Sequence, residues 1–260
     1  MKKIIKLIFL LGLLIFFIGC EEAIQKPEKP TVSYEPVDNG AKLRLTWNRI
    51  ADVDGYYIYV DGTKDTTLPS YTTSYDVSGP AKIVEVSAYK KNEESERWKL
   101  DLTPVISEVS VWGASDPDPN HPSGLQLSDN GAIPLAIGNE ANWPNLDYIF
   151  DDRGEFAPMS IVNPGDYESP KYNNKGNAIS IMATGNFDEE NMAPAPGVYS
   201  TQRKNIEING VYYLWLDRDN DNKTTNDNFG KVLIIAITDK QVRIKVAYQK
   251  VKGLRWVKTD

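Results

Sequence analysis

Apolar and polar residues alternate along several short segments between residues 30 and 107. Residues 43–47 alternate strictly, and residues 56–60 form a run of strand-favouring side chains that ends at an Asp-Gly pair. The same two-residue period returns at residues 83–89. Because successive side chains of a strand point to opposite faces, this pattern predicts short, half-buried strands packed as an all-β sandwich.

Residues 108–260 contain no long stretch of helical periodicity, so this part is also predicted to be all-β. Further strands are predicted at residues 133–137, 146–150, 178–182, 206–208, 211–216, 232–237 and 241–248. The last three predict an antiparallel meander, and the whole set predicts a second, larger antiparallel β-sandwich domain. The final strand alternates Arg243 and Lys245 with apolar residues, a pattern typical of a sheet edge.

The first twenty residues have the character of an export signal. Three lysines precede an apolar run at residues 7–18, and Cys20 follows shortly afterwards. As a helix, those 12 residues would cover only about 18 Å of a hydrocarbon layer about 30 Å thick. Residues 1–20 are therefore predicted to be a secretory signal peptide and not a transmembrane span.

Residues 17–20, Phe-Ile-Gly-Cys, resemble the lipobox of bacterial lipoproteins, although Phe17 stands where leucine is usual. The resemblance implies that diacylglycerol alkylates the thiol of Cys20 and that the peptide before it is removed. Residues 21–29 would then form a polar tether. The expected location is the cell envelope, with the protein anchored in a membrane through Cys20 and facing the periplasm or the exterior. An ordinary signal peptide with a chance cysteine is the alternative.

Leu45 and Trp47 on one predicted strand, followed by residues 54–62 on the next, resemble a fibronectin type III domain. The resemblance spans residues 30–107 and implies that Trp47 lies in the core between two sheets. We predict Trp47 and Tyr57 to be core residues and not ligand contacts. In exported bacterial proteins such domains act mostly as spacers or interaction modules.

The C-terminal domain, residues 108–260, is loosely similar to β-rich lipoproteins of the HmuY-like haem-binding type. The similarity lies in residues 123–150 and in the last strands. Haem binding in that family depends on histidine ligands. The chain has one histidine, His121, within a proline-rich loop, so the resemblance does not extend to haem as a cofactor.

The segment at residues 217–228 is the best candidate for binding an ion. Asp217, Asp219 and Asp221 occupy positions 1, 3 and 5 of a polar loop, which places their oxygens on one side. Ca²⁺ takes about six to eight oxygen ligands of this kind. Three later residues can add oxygens: Thr225, Asp227 and Asn228.

This loop departs from an EF-hand in two places. Asn222 stands at position six, where glycine is usual, and Asn228 stands at position twelve, where a bidentate glutamate is usual. Asparagine tolerates the left-handed conformation that the first of these positions requires. A solvated hairpin loop without an ion is the alternative.

Charge and composition argue against several functions. The formal net charge of −7 argues against nucleic acid as a partner. Cys20 is the only cysteine, so the exported domains have no internal disulfide. With one histidine and no nucleophile motif, the chain is predicted not to be an enzyme. Acidic residues at 151–152 and 188–190 are the candidates for a glycosidase carboxylate pair, but the sequence does not fix their separation.

Aromatic residues in the C-terminal domain raise the alternative of carbohydrate binding. Trp143 is predicted to be the most exposed of them and is the candidate ligand-binding residue, whereas most of the others are expected in the core. We therefore expect a membrane-anchored extracytoplasmic lipoprotein that acts as a binding or interaction module for a glycan or protein partner. A structural subunit of a cell-envelope or surface assembly is the alternative.

Overall fold

The computed structural model describes residues 25–156, 158–168, 172, 177–179, 186–199 and 203–260. Over these residues the protein is all-β, which confirms the predicted fold class. Helix in this part is limited to one turn, α1 (Pro164–Tyr167), and to short 3₁₀ segments at Glu140–Asn145, Gly154–Phe156 and Pro196–Val198. None of the described helices is long and apolar enough to cross a bilayer. The predicted signal peptide, Cys20 and the start of the tether lie outside the described residues.

The first sandwich contains eight strands joined by antiparallel pairing. They are β1 (Val32–Val37), β2 (Lys42–Trp47), β3 (Gly55–Val60), β4 (Thr63–Pro69), β5 (Ser74–Val77), β6 (Ile83–Lys90), β7 (Glu93–Glu94) and β8 (Trp98–Asp101). One sheet has the order β1-β2-β5. In the other, β3 lies between β4 and β6, and β6 pairs with β7 and β8 along its second edge. Apolar side chains from both sheets meet in one core.

The core of this sandwich shows which face of each strand is buried. Trp47 is only 4% exposed and packs against Tyr56 with ring centroids 5.3 Å apart, so the core prediction for Trp47 is confirmed. The prediction that Tyr57 is a core residue is wrong, because Tyr57 is only partly buried. Tyr56 and Ile58 take the inward positions of β3, and the two-residue period turns Tyr57 to the outer face. There its ring stacks on Tyr89 at 4.1 Å.

Among the described residues, the second sandwich is built from two five-stranded antiparallel sheets. Its strands are β9 (Val105–Trp112), β10 (Gly124–Ser128), β11 (Gly131–Leu135), β12 (Tyr148–Asp151), β13 (Ser160–Val162), β14 (Ala178–Ile179), β15 (Arg203–Asn205), β16 (Val211–Leu216), β17 (Asn228–Ile237) and β18 (Gln241–Gln249). The sheet orders are β11-β10-β12-β13-β15 and β14-β16-β17-β18-β9. Buried side chains from both sheets form the core, among them Leu125, Phe150, Leu214, Val232 and Ile244.

Several local predictions for this half can be compared with the strands. The antiparallel meander is confirmed, because β16, β17 and β18 pair in that order. The prediction that the last strand lies at a sheet edge is wrong, since β9 pairs along the other side of β18. No strand forms at residues 206–208, where Asn209 adopts the left-handed conformation (φ 65°) and turns the chain towards β16. The predicted domain boundary at residue 107 falls inside β9.

The end of the chain returns from the second sandwich to the first. Residues 250–257, called the return segment below, place Leu254 and Trp256 in the core of the first sandwich. The Trp256 indole Nε1 donates a hydrogen bond to the carbonyl of Ala41 at 2.9 Å. The two sandwiches are therefore joined by buried side chains as well as by the direct passage from β8 to β9.

Candidate metal centre

The acidic loop, residues 217–227, connects two buried neighbouring strands. β16 ends at Leu216 and β17 begins at Asn228, and these two residues are the last partners in the pairing of the strands. Asp217 and Asp227 follow and precede that pair directly, so both stand at the base of the loop. Both are buried, whereas Asp219 and Asp221 are exposed nearer the tip. The strand register therefore places the carboxylates of Asp217 and Asp227 at the base of the loop, and those of Asp219 and Asp221 lie nearer its tip.

The loop folds around the carboxylate of Asp217. The backbone N–H of Asp221 donates to Asp217 Oδ1, and that of Asn222 donates to Asp217 Oδ2, both at 3.1 Å. Asn220 and Asn222 adopt the left-handed conformation, with φ of 57° and 58°. The prediction that Asn222 replaces the usual glycine in this conformation is therefore confirmed. These hydrogen bonds and left-handed residues give the loop a defined backbone shape.

Three carboxylates converge as the sequence predicted. Asp217, Asp219 and Asp221 each offer an oxygen atom, and these atoms lie within 4.8 Å of one another. Calcium–oxygen distances are about 2.3–2.6 Å, so oxygens on opposite sides of one ion are separated by about 5 Å. Burial raises the pKa of Asp217, and the nearby Asp219 carboxylate adds to that rise, although the two backbone N–H groups oppose it. The spacing fits a single calcium-sized cation.

Asp227 is the fourth carboxylate at this place. Its Oδ2 accepts a hydrogen bond from Trp215 Nε1 at 2.6 Å. Its Oδ1 is buried and has no hydrogen-bond partner among the described residues. Burial, followed by the charges of Asp217, Asp219 and Asp221, raises the pKa of Asp227 to about 7. The sequence suggested Asp227 only as an additional ligand. Its position directly before the buried strand β17 is the sequence feature that could have indicated a buried carboxylate.

Asn228, the other suggested additional ligand, is engaged elsewhere. Its Nδ2 donates to the carbonyl of Gln249 at 3.0 Å, and its Oδ1 accepts from Arg218 Nη1 at 3.5 Å. Its side chain therefore ties β17 to β18. Thr225 is exposed and lines a cavity facing the turn between β1 and β2.

Arg218 stands between two of the acidic residues but points away from them. Its guanidinium forms a bidentate ion pair with the fully buried Asp147, with Nε–Oδ1 at 2.9 Å and Nη2–Oδ2 at 2.8 Å. It also donates to the carbonyl of Leu127. Arg218 therefore fastens the start of the loop to the opposite sheet. Its positive charge is paired with the carboxylate of Asp147 and not with the aspartates of the loop.

The other predicted site residues lie apart from this loop. Trp143 is half-buried instead of exposed, because its ring packs against Tyr172 at 5.3 Å and its Nε1 donates to the carbonyl of Ile137. His121 stacks on Trp112 and contacts Asp116 through Nδ1 at 2.9 Å. The structure does not bring either residue to the acidic loop or present Trp143 as an open aromatic platform.

The acidic pair at residues 151–152 is held in ion pairs. Asp151 is fully buried and bonded to Arg153 and Arg203, each at 2.8 Å. Burial raises the pKa of Asp151, but the hydrogen bonds from the two arginines outweigh it and keep that pKa below its usual value. Asp152 accepts from the backbone N–H and the hydroxyl of Ser115. Asp151 thus stays charged, which does not suit a proton donor to a glycosidic oxygen.

Comparisons with known proteins give little to set beside this geometry. No protein-family model matches the sequence, and no curated protein matches it. Among solved structures, the chain is similar in part to the spore cortex lytic enzyme SleM of Clostridium perfringens. That match has 20% identity and a TM-score of 0.25, and it spans 29% of this chain and 28% of the enzyme. A likeness of that extent carries no argument about fold or activity.

Proposed function

We propose that this protein is a lipid-anchored extracytoplasmic binding or interaction module whose second sandwich carries a Ca²⁺-binding loop. The observation that carries the proposal is the convergence of three aspartate oxygens within 4.8 Å above a buried fourth aspartate. Calcium accepts this kind of flexible, oxygen-only site, whereas Mg²⁺ requires near-octahedral geometry and retains several waters. The residues that would hold the ion are Asp217, Asp219 and Asp221.

The affinity is expected to be modest. The loop has no bidentate glutamate at its end, and Asn228 at that position is bonded to β18. We therefore expect a dissociation constant of about 10⁻⁴–10⁻³ M, the range of extracellular modules. A loop of this affinity fills where free calcium is in the millimolar range, which fits a location outside the cytoplasm.

Calcium is expected to raise the thermal stability of the exported chain, residues 21–260. An ion that binds only the folded state adds about 2.7 kcal/mol at 100 times its dissociation constant. We expect the unfolding midpoint to rise with calcium and to stay constant in chelator. The double variant Asp219→Asn with Asp221→Asn should lose the calcium-dependent rise, because it removes two ligand charges.

The matched control changes two acids outside the loop. Asp129 and Asp239 lie in exposed turns of the same sandwich, and Asp129→Asn with Asp239→Asn alters the net charge equally. This control should keep the full calcium response. If wild type shows no response, the loop is a plain hairpin; if the response survives the loop variant, the ion binds elsewhere.

The lipid anchor is supported by the lipobox-like residues 17–20 and by the polar segment that precedes β1. We expect Cys20→Ser to release the protein from membranes or to leave the signal peptide uncleaved. The measurement is membrane fractionation with electrophoretic mobility in a bacterial host, with Phe17→Leu as a control that restores the usual lipobox residue. A Cys20→Ser variant that fractionates and migrates like wild type would refute lipidation.

The first sandwich is proposed to be a fibronectin type III domain that acts as a spacer. The proposal is supported by the three-stranded sheet β1-β2-β5 facing the sheet that contains β4, β3, β6 and β8. It is also supported by Trp47, which lies between these sheets. In this arrangement the tether leads into β1, and the first sandwich lies between the tether and the second sandwich along the chain.

A further inference from the structure

We infer that Asp227 is a further ligand of the proposed calcium ion and that, through Asp227, this ion holds together the joint between the two sandwiches. The inference rests on the proposed calcium loop and goes beyond it in two respects. It adds a buried carboxylate to the three that the sequence predicted. It also gives the ion a role in the relation between the domains, because Asp227 is bonded to the return segment.

Asp227 has one carboxylate oxygen without a hydrogen-bond partner among the described residues. The residue is 1% exposed, and its Oδ1 lacks a hydrogen-bond partner in the described part of the chain. A buried acceptor left unpaired costs about 1–3 kcal/mol, and more when it is charged. Asp217 stands one residue beyond the paired end of the same two strands, across the loop base from Asp227. A cation held by Asp217 would supply the missing partner.

The backbone of Asp227 is hydrogen-bonded to the return segment. Its carbonyl accepts a hydrogen bond from the N–H of Gly253 at 2.7 Å, and its own N–H donates to Thr224 at 3.1 Å. Gly253 belongs to the return segment and has a left-handed φ of 77°. Fixing the Asp227 side chain on an ion therefore also fixes the acceptor that positions Gly253.

Gly253 and Arg255 in turn contact the first sandwich. A Cβ atom placed on Gly40 would lie 2.0 Å from the Gly253 carbonyl oxygen. The two backbones are therefore so close that only glycine fits at position 40. Arg255 then donates its N–H to the carbonyl of Gly40 at 3.1 Å and its Nε to Asn39 at 2.8 Å. Gly40 belongs to the turn between β1 and β2. One path of backbone hydrogen bonds from Asp227 to the first sandwich thus passes through Gly253.

The space around this path leaves room for movement. A cavity of about 220 Å³ is lined by Thr224 and Thr225 of the loop, by Gly253, and by residues 36–40 of the turn. Without a cation, the clustered carboxylates repel one another, and we expect this repulsion to favour movement of the loop end, next to Asp227, into this space. With the cation, the loop end is held, and local opening of the return segment becomes less frequent.

The test is hydrogen exchange on the exported chain, residues 21–260, with calcium or with chelator. At a calcium concentration about ten times the dissociation constant, a closed state that alone binds the ion gains roughly tenfold in population. We expect roughly tenfold slower exchange at the amides of Gly253 and Arg255. Amides in the centre of β3 and β6 should not change. Calcium binding is measured separately on the same samples by isothermal titration.

Two variants separate the role of Asp227 from general damage to the loop. Asp227→Asn keeps an acceptor for Trp215 Nε1 but loses the charge, so it should weaken calcium binding by at least about tenfold. It should also abolish the calcium-dependent protection. Asn226→Ala changes the exposed neighbour of Asp227 in the same loop and leaves the carboxylate, so it should retain both calcium binding and protection.

Each outcome supports or overturns a defined statement. If wild type binds no calcium, the proposed function fails and the inference fails with it. If calcium binds but exchange at Gly253 and Arg255 is unchanged, the loop is a calcium site that does not act on the joint, and the inference is overturned alone. If Asp227→Asn binds calcium as wild type does, Asp227 is not a ligand.

Discussion

Replacing Trp256 by alanine is expected to lower the free energy of unfolding by about 3–5 kcal/mol, the range for deleting a large core aromatic. Trp256 is the largest of the fully buried side chains among the described residues. It lies in the core of the first sandwich, although it is four residues from the C-terminus. The change also removes the donor to the Ala41 carbonyl. Denaturant unfolding measures the loss.

Two comparisons make the Trp256 result interpretable. Trp47→Ala removes a tryptophan of the same core from within the first sandwich and should cost a similar amount. Tyr71→Ala removes a side chain that is 74% exposed and should change stability by less than about 0.5 kcal/mol. A Trp256→Ala loss as small as that of Tyr71→Ala would mean that the return segment does not contribute to the first core.

The same packing determines the stability expected of an isolated first sandwich. A fragment of residues 30–107 lacks Leu254 and Trp256, which complete its core. It also ends inside β9, a strand whose partner β18 belongs to the other sandwich. The fragment should therefore be markedly less stable than the same sandwich within the whole chain.

Replacing Arg218 by methionine is expected to cost about 3 kcal/mol, near the lower end of the range for breaking a buried ion pair. The partner Asp147 is fully buried, and losing the guanidinium leaves its charge without the bidentate pairing. The lower end applies because the Arg218 side chain keeps 35% of its surface exposed, and solvent screens part of the interaction. Methionine retains an apolar stem of comparable length, so packing is largely preserved.

The matched control is Arg243→Met on β18. Arg243 faces Glu108 at 3.5 Å, but both side chains are more than half exposed. Such a surface pair contributes only about 0–1 kcal/mol. Equal losses for Arg218→Met and Arg243→Met in denaturant unfolding would mean that Asp147 is not stabilised by its pairing, and that Arg218 does not fasten the acidic loop.

Local features of this protein were determined by the sequence alone. The two-residue period at residues 43–47 and the strand-favouring apolar run at residues 211–216 are local properties of the chain, so both strands form where the sequence predicts them. The acidic loop is also local: three aspartates at alternate positions and a left-handed Asn222 bring the carboxylates together within six residues. Short-range geometry is sufficient for both features.

Tertiary structure decided everything that depends on distant partners. Alternation predicts two faces for β3 but not which one is buried, so only the packed sheets place Tyr56 inside and Tyr57 outside. The pairing of β18 with β9 joins the two ends of the second sandwich. Asp227 faces the loop base only because β16 and β17 are in register, and Trp256 reaches the first core only because the return segment crosses the joint. Periodicity along a chain contains no information about which distant segment covers a face, and that choice is made when buried surface is paired across the fold.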